Sequence, residues 1–206
     1  MPKIEPAVRQ LYYQIPDGTS YIDLAKDLSK VNRRLYRQGM SYVVQDIQIG
    51  MPAGMKPTDV FQISFLTAGN SWVLHNAWRK GFETWRTMQD EYMDGEGSRL
   101  KGKWADFKVY LDEDMVGAAI QGASASSAQN GEIMLPVDRR DFTAKVGEWT
   151  YSTIQIPNDG GAIAPTEITM HMVGDDDGNS RGIIHGYGLS RSRPQSIEPN
   201  TPTLGG

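Results

Sequence analysis

The sequence contains no cysteine among its 206 residues. Disulfide bonds, thiolate catalysis and cysteine-ligated zinc sites are therefore excluded. It also lacks any run of about 18 apolar residues, the length that a membrane-spanning helix needs, so no membrane partner is expected. The formal net charge of −4 provides no overall cationic field. Contact with nucleic acid must therefore come from a local basic cluster.

Recognisable catalytic patterns are missing as well. None of the three histidines, His75, His171 and His185, has a metal-ligand spacing such as His-x-His or His-x3-His with a carboxylate nearby in sequence. The chain has no Gly-x-Ser-x-Gly elbow and no phosphate-binding P-loop. We therefore expect a protein that is not an enzyme and that carries no organic cofactor.

Glycine and proline are plentiful, with 22 and 11 residues spread in turn-like clusters. This distribution favours many short elements over a helical bundle. The length suits one domain with tails. We predict an extended N-terminal arm at 1–20, a folded domain at 21–190, and an extended or disordered C-terminal tail at 191–206.

The clearest helical pattern lies at 70–94, where large apolar residues recur at steps of three and four. They are Leu74, Trp78, Phe82, Trp85, Met88 and Tyr92. A shorter helix is predicted at 24–37, with Gly39 as its stop.

Several segments instead show β-branched and aromatic residues, with alternation at 59–67 and 104–111, which is typical of strands. The predicted strands are 41–49, 59–67, 104–111, 148–156, 166–173 and 182–190, and a small-residue loop is predicted at 117–131. Together they predict a mainly β fold, an antiparallel β-sandwich with the long amphipathic helix inserted between two strands.

Basic residues cluster at Arg33, Arg34 and Arg37, around Tyr36. Arginines interleaved with a tyrosine suit phosphate contact and base stacking, so these three are the candidate nucleic-acid-binding residues. The alternative is ordinary solvated surface charge that forms salt bridges along a helix.

Two further sets of residues are candidates for binding. Trp72, Trp78 and Trp85 lie on one helix and suit a subunit interface, although core packing is the default for such residues. Asp175, Asp177 and Asn179 alternate as oxygen ligands do in calcium loops, so a divalent ion such as calcium could bind there at a subunit contact. A plain polar hairpin turn is the alternative.

Four phrases together resemble the coat proteins of small, mainly environmental, DNA viruses with single jelly-roll capsids. They are VNRRLYRQG at 31–39, NSWVLHNAW at 70–78, HMVGD at 171–175 and GIIHGY at 182–187. The resemblance spans most of residues 20–195. It implies an eight-stranded viral jelly roll that assembles with its own copies into an icosahedral shell around DNA, within a virion.

One departure bears on that resemblance. Many such proteins begin with an arginine-rich arm that neutralises the packaged genome. Here the first 20 residues hold only Lys3 and Arg9 as basic residues. Interior contacts would then depend on Arg33, Arg34 and Arg37, or on another protein. The alternative function is a jelly-roll carbohydrate-binding module or a phage appendage module.

Overall fold

The structure is a computed structural model. It describes residues 7–15, 18–50, 54, 56, 58, 60, 62–96, 106–121, 132–133, 149–156, 166–176 and 180–192. The helices are α1 (Leu24–Asn32), α2 (Trp72–Glu96), α3 (Glu113–Gln121) and α4 (Ile183–Ser192). The strands are β1 (Ser20–Tyr21), β2 (Glu132–Ile133), β3 (Thr153–Ile156), β4 (Thr166–His171) and β5 (Ser180–Gly182).

The predicted jelly-roll sandwich is wrong. Helix accounts for about three times as many residues as strand. The main sheet has three strands in the order β3-β4-β5, with β3 antiparallel and β5 parallel to β4. The strands β1 and β2 form a separate parallel pair. In the described residues, these two small sheets do not form an antiparallel β-sandwich.

Three of the predicted strands are helical or lack regular secondary structure in the described residues, for identifiable reasons. The segment 182–190 forms α4 from Ile183 onward, because Ile183, Ile184 and Tyr187 share the spacing of one helical face. The segment 41–49 and the described residues of 59–67 have no regular secondary structure. Alternation of apolar and polar residues is compatible with any extended chain. A β-strand also requires a neighbouring strand with which its backbone can form hydrogen bonds.

The predicted loop at 117–131 overlaps α3, which reaches Gln121. The carboxylate of Asp112 accepts a hydrogen bond from the backbone N–H of Met115 at 2.9 Å and so caps the helix. Glu113 and Asp114 occupy its first turn, where negatively charged side chains interact favourably with the positive end of the helix dipole. The helix 24–37 is also shorter than predicted, because Arg33 adopts a left-handed conformation with φ 52° and ends α1 at Asn32.

The helix predicted at 70–94 is present as α2, and it packs over one face of the sheet. Its aromatic stripe covers a core cluster whose buried members are Phe107, Val109, Met170 and Met172. Residues 106–111 run beside β4: the N–H of Tyr110 donates to the carbonyl of Met170 at 3.0 Å, and Met172 donates back to Tyr110 at 2.9 Å. A second cluster contains Tyr21, Tyr110, Met115 and Val116, so it joins β1 to α3. Within the described residues, no helix is both long and apolar enough to cross a membrane.

The start of the described chain is fastened to α1 by side-chain hydrogen bonds. The hydroxyl of Tyr13 donates to Asp27 Oδ2 at 2.8 Å, and the side chain of Asn32 both accepts from and donates to the backbone of Val8. Asp27 is fully buried, and burial raises the pKa of its carboxyl to about 6 although Lys26 Nζ lies only 3.9 Å away. Burial lowers the pKa of Lys26 itself.

This raised pKa predicts a pH-dependent stability. Between pH about 4 and about 6 the folded chain keeps Asp27 protonated while the unfolded chain ionises it, so this group's stabilising contribution is lost as pH rises. We expect Asp27→Asn to gain on the order of 3 kcal/mol of unfolding free energy relative to the wild type between pH about 4 and about 7. Urea denaturation at a series of pH values measures this difference. Glu91→Gln, at an exposed residue of α2, is the control; a constant difference for Asp27→Asn across the same range would contradict the assignment.

Candidate functional site

A pocket of about 420 Å³ opens between α2 and the chain that follows α1. Its volume lies within the range of small-molecule and nucleotide sites. The pocket is lined by Arg37, Gly39, Met40, Trp78, Phe82, Arg86 and Phe107. Trp78, Phe82 and Arg86 recur at steps of four residues, so a single face of α2 forms one wall.

The floor of the pocket is a packed aromatic group. Trp78 and Phe82 stack with ring centroids 5.7 Å apart and planes 6° apart. Phe107 meets both rings edge-on, at 5.5 Å from Trp78 and 5.9 Å from Phe82. Gly39 lies so close to the indole of Trp78 that a Cβ there would overlap the ring. The glycine predicted as a helix stop is thus needed for this close approach, since α1 has already ended.

Two arginines stand at the rim of the pocket. Arg37 and Arg86 are exposed, and neither guanidinium has an ion pair or hydrogen bond within the described part of the chain. The backbone carbonyl of Arg37 accepts a hydrogen bond from the Tyr42 hydroxyl at 2.7 Å. No carboxylate is among the lining residues. The rim is therefore cationic in a chain whose net charge is −4.

The structure separates the three predicted nucleic-acid-binding arginines. Arg33 forms the C-cap of α1, where its N–H approaches the carbonyls of Lys30 and Ser29. Arg34 is exposed, and its backbone N–H donates to Ser29. Arg37 alone of the three lines the pocket. Sequence reasoning missed Arg86, although its spacing from Trp78 and Phe82 was a usable signal. Binding of nucleic acid by these residues stays a prediction.

The three tryptophans of α2 occupy different environments. Trp78 and Trp85 are half-buried against Phe107 within the same chain, at 5.5 Å and 5.7 Å between ring centroids. Trp72 is 62% exposed, and the guanidinium of Arg191 lies 4.9 Å from its ring centroid. Of the three, Trp72 has the most surface to offer another subunit, and the interface role stays a prediction.

The predicted divalent-ion site is described only in part. The carboxylate of Asp175 lies 2.7 Å from Nδ1 of His185. Asp177 and Asn179 lie outside the described residues. Among the residues that are described, no cluster of three or more histidine, aspartate or glutamate side chains could hold a metal ion.

A buried polar pair that the sequence did not indicate lies beside this turn. His171 Nδ1 is 2.8 Å from the hydroxyl oxygen of Ser180, and His171 Nε2 is 3.1 Å from the backbone carbonyl of Asp175. Because a carbonyl only accepts, Nε2 donates its proton to Asp175, and Nδ1 accepts from Ser180. Both side chains are fully buried. A substrate cannot reach the hydroxyl in this conformation, so the pair joins β4 to β5 and offers no exposed nucleophile.

Comparisons with protein-family models, with curated proteins and with solved structures find no match to this chain. The pocket and the exposed surfaces are therefore the basis for the functional argument.

Proposed function

We propose that this chain is a structural subunit that assembles with copies of itself, within a shell that encloses nucleic acid. The observation that carries the self-assembly is the segment 43–50, whose backbone is unpaired within the described part of the chain and whose apolar side chains are exposed. The shell and its nucleic acid are what the resemblance to viral coat proteins implies. The proposal does not include the jelly-roll fold, which the structure contradicts.

The segment 43–50 has the composition of a strand but pairs with no strand among the described residues. None of its backbone N–H or C=O groups forms a hydrogen bond within the described part of the chain. Val43 is 83% exposed, and Val44, Ile47 and Ile49 are also exposed. A segment with unpaired backbone groups and β-branched side chains can pair with another chain as a β-strand.

Alternation gives this segment two different faces. In a strand, Val43, Ile47 and Ile49 would lie on one face with Gln45, while Asp46 and Gln48 would lie with Val44 on the other. Pairing with a second chain would satisfy the backbone and bury the more apolar face. Further along the chain, Val60 is 94% and Leu66 87% exposed.

A second copy of the chain is the partner that best fits this surface. Each copy presents the same unpaired segment, so two copies can pair around a twofold axis with identical contributions. The segment carries a single charge, Asp46, and charge therefore opposes self-pairing only weakly.

Light scattering coupled to size-exclusion chromatography tests the proposal on the full chain. We expect the wild type to assemble with rising concentration, and Ile47→Lys to weaken association at least about tenfold because it places a charge on the apolar face. Gln48→Lys adds the same charge to the opposite face and is the matched control. A wild type that is monomeric at all concentrations, or equal effects of the two variants, would overturn the proposal. Negative-stain microscopy of the assembled fraction then separates closed shells from smaller oligomers.

The carbohydrate-binding alternative has weaker support. A sugar would stack on an exposed aromatic ring, and Trp72 is the exposed tryptophan among the described residues. Arg191 already lies over that ring, and also lies 5.2 Å from the ring centroid of Tyr187. Dispersed monomers that bind glycans in the same experiments would favour the alternative.

A further inference from the structure

The pocket between α2 and residues 37–40 combines an aromatic floor with two arginines that have no partner within the described part of the chain. We infer that it binds one nucleotide of a single-stranded nucleic acid, with the base against the aromatic floor and the phosphate between Arg37 and Arg86. This inference deepens the proposed function and rests on it, because it identifies where an enclosed nucleic acid would touch the subunit.

The floor is suited to a flat, apolar ligand. Phe107 is only 4% exposed and holds the rings of Trp78 and Phe82 in place through edge-on contacts. A rigid aromatic surface binds a base with little loss of side-chain freedom, and it does so whatever the base, because every base has a π-face. A free inorganic phosphate would leave this floor unused.

The rim is suited to an anion. Arg37 reaches the pocket from the chain after α1, and Arg86 reaches it from α2. A guanidinium donates hydrogen bonds in a fixed planar fork that matches phosphate oxygens. Since both guanidiniums lack partners among the described residues, binding an anion breaks no existing ion pair there. A neutral sugar would provide no negative charge to pair with either guanidinium.

Single strands fit this arrangement better than duplexes do. A base inside a duplex is stacked on both faces and cannot lie against a protein ring unless it is first unstacked. The neighbouring acidic residue of α2, Glu83, already pairs with Arg79 at 3.1 Å and Lys80 at 3.5 Å. Its charge is thereby partly neutralised close to the pocket.

Fluorescence anisotropy with a labelled oligothymidylate tests the inference on the full chain. We expect the double variant Arg37→Gln/Arg86→Gln to weaken binding at least about tenfold. The slope of log affinity against log salt should also fall by about 0.7 for each phosphate that the variant no longer neutralises. The double variant Arg9→Gln/Arg34→Gln removes the same amount of charge at two exposed arginines that do not line the pocket, and it should change the affinity less than about threefold. Phe82→Leu, which keeps an apolar side chain but removes the ring, should weaken binding roughly fivefold or more.

Several outcomes would overturn the inference: no binding by the wild type, equal losses in the two double variants, equal affinity for a duplex of the same length, or no effect of Phe82→Leu. Thermal melts followed by circular dichroism check that each variant is folded, and Arg37→Lys/Arg86→Lys should recover part of the affinity if charge at the rim is responsible. Light scattering on the same samples keeps the two proposals distinct. A wild type that assembles but does not bind the oligonucleotide contradicts only the pocket, whereas one that binds but does not assemble contradicts only self-assembly.

Discussion

Replacing Phe107 by alanine is expected to lower the free energy of unfolding by about 3–5 kcal/mol. Phe107 is 4% exposed and touches three aromatic rings of α2, at centroid distances of 5.5 Å to Trp78, 5.9 Å to Phe82 and 5.7 Å to Trp85. Truncation removes the ring on which α2 meets the chain beside β4 and leaves a cavity that neighbouring rings fill only in part. Urea denaturation followed by circular dichroism measures the change.

Phe65→Ala is the matched control for that substitution. Phe65 is 50% exposed and belongs to neither core cluster. Its loss should cost less than about 1 kcal/mol in the monomer. Equal destabilisation by the two substitutions would mean that the aromatic cluster around Phe107 does not form. The same result would remove the floor of the proposed nucleotide pocket.

The second large effect is expected at Gly182, the last residue of β5. A Cβ at this position would overlap the backbone carbonyl oxygen of Gly174 and lie 3.2 Å from Nε2 of His171. The backbone cannot move aside as a flexible side chain can, so Gly182→Ala should cost about 3 kcal/mol or more. It should also disturb the hydrogen bond from His171 to Asp175.

Gly186, four residues later in α4, is the control for Gly182. An added Cβ at Gly186 would meet no atom within 4 Å. Alanine is the better helix former, so Gly186→Ala should raise stability by about 1 kcal/mol. Denaturation curves of the two variants therefore move in opposite directions. If Gly182→Ala is as stable as the wild type, β5 and the turn at Gly174 do not lie in close contact.

The long helix could be predicted from the sequence because its signal is local. Steps of three and four between Leu74, Trp78, Phe82 and Trp85 occur on one face whatever the helix packs against. The predicted limits, 70–94, differ from Trp72–Glu96 by two residues at each end. The strands near 153–156 and 166–171 were also indicated by β-branched composition.

The overall architecture could not be predicted in the same way. The jelly-roll prediction failed at segments whose secondary structure depends on whether they pair with another strand. Residues 43–50 have the composition of a strand, yet they form no strand and no backbone hydrogen bond among the described residues. Residues 182–190 were also predicted as a strand, but Ile183 and Ile184 pack in the core cluster beneath α2 as part of a helix. Short apolar runs do not distinguish the two structures by periodicity alone.

The candidate site also combines features that the sequence indicated with contacts that only the folded chain shows. Arg37 was singled out as one of three clustered arginines, but the pairing of Arg37 with Arg86 spans 49 positions of sequence and is visible only in the folded chain. The buried contact of His171 with Ser180 likewise depends on the parallel pairing of β4 with β5.

By itself, the sequence determined what depends on composition and on near neighbours along the chain. It excluded disulfides and cysteine-ligated zinc, located the amphipathic helix, and identified a β-prone segment at 41–49. Only the tertiary structure decided which strands find partners, which aromatic rings meet around Phe107, and which arginines share a pocket. These are contacts between residues distant in sequence, and they depend on how helices and strands pack, which local periodicity does not encode.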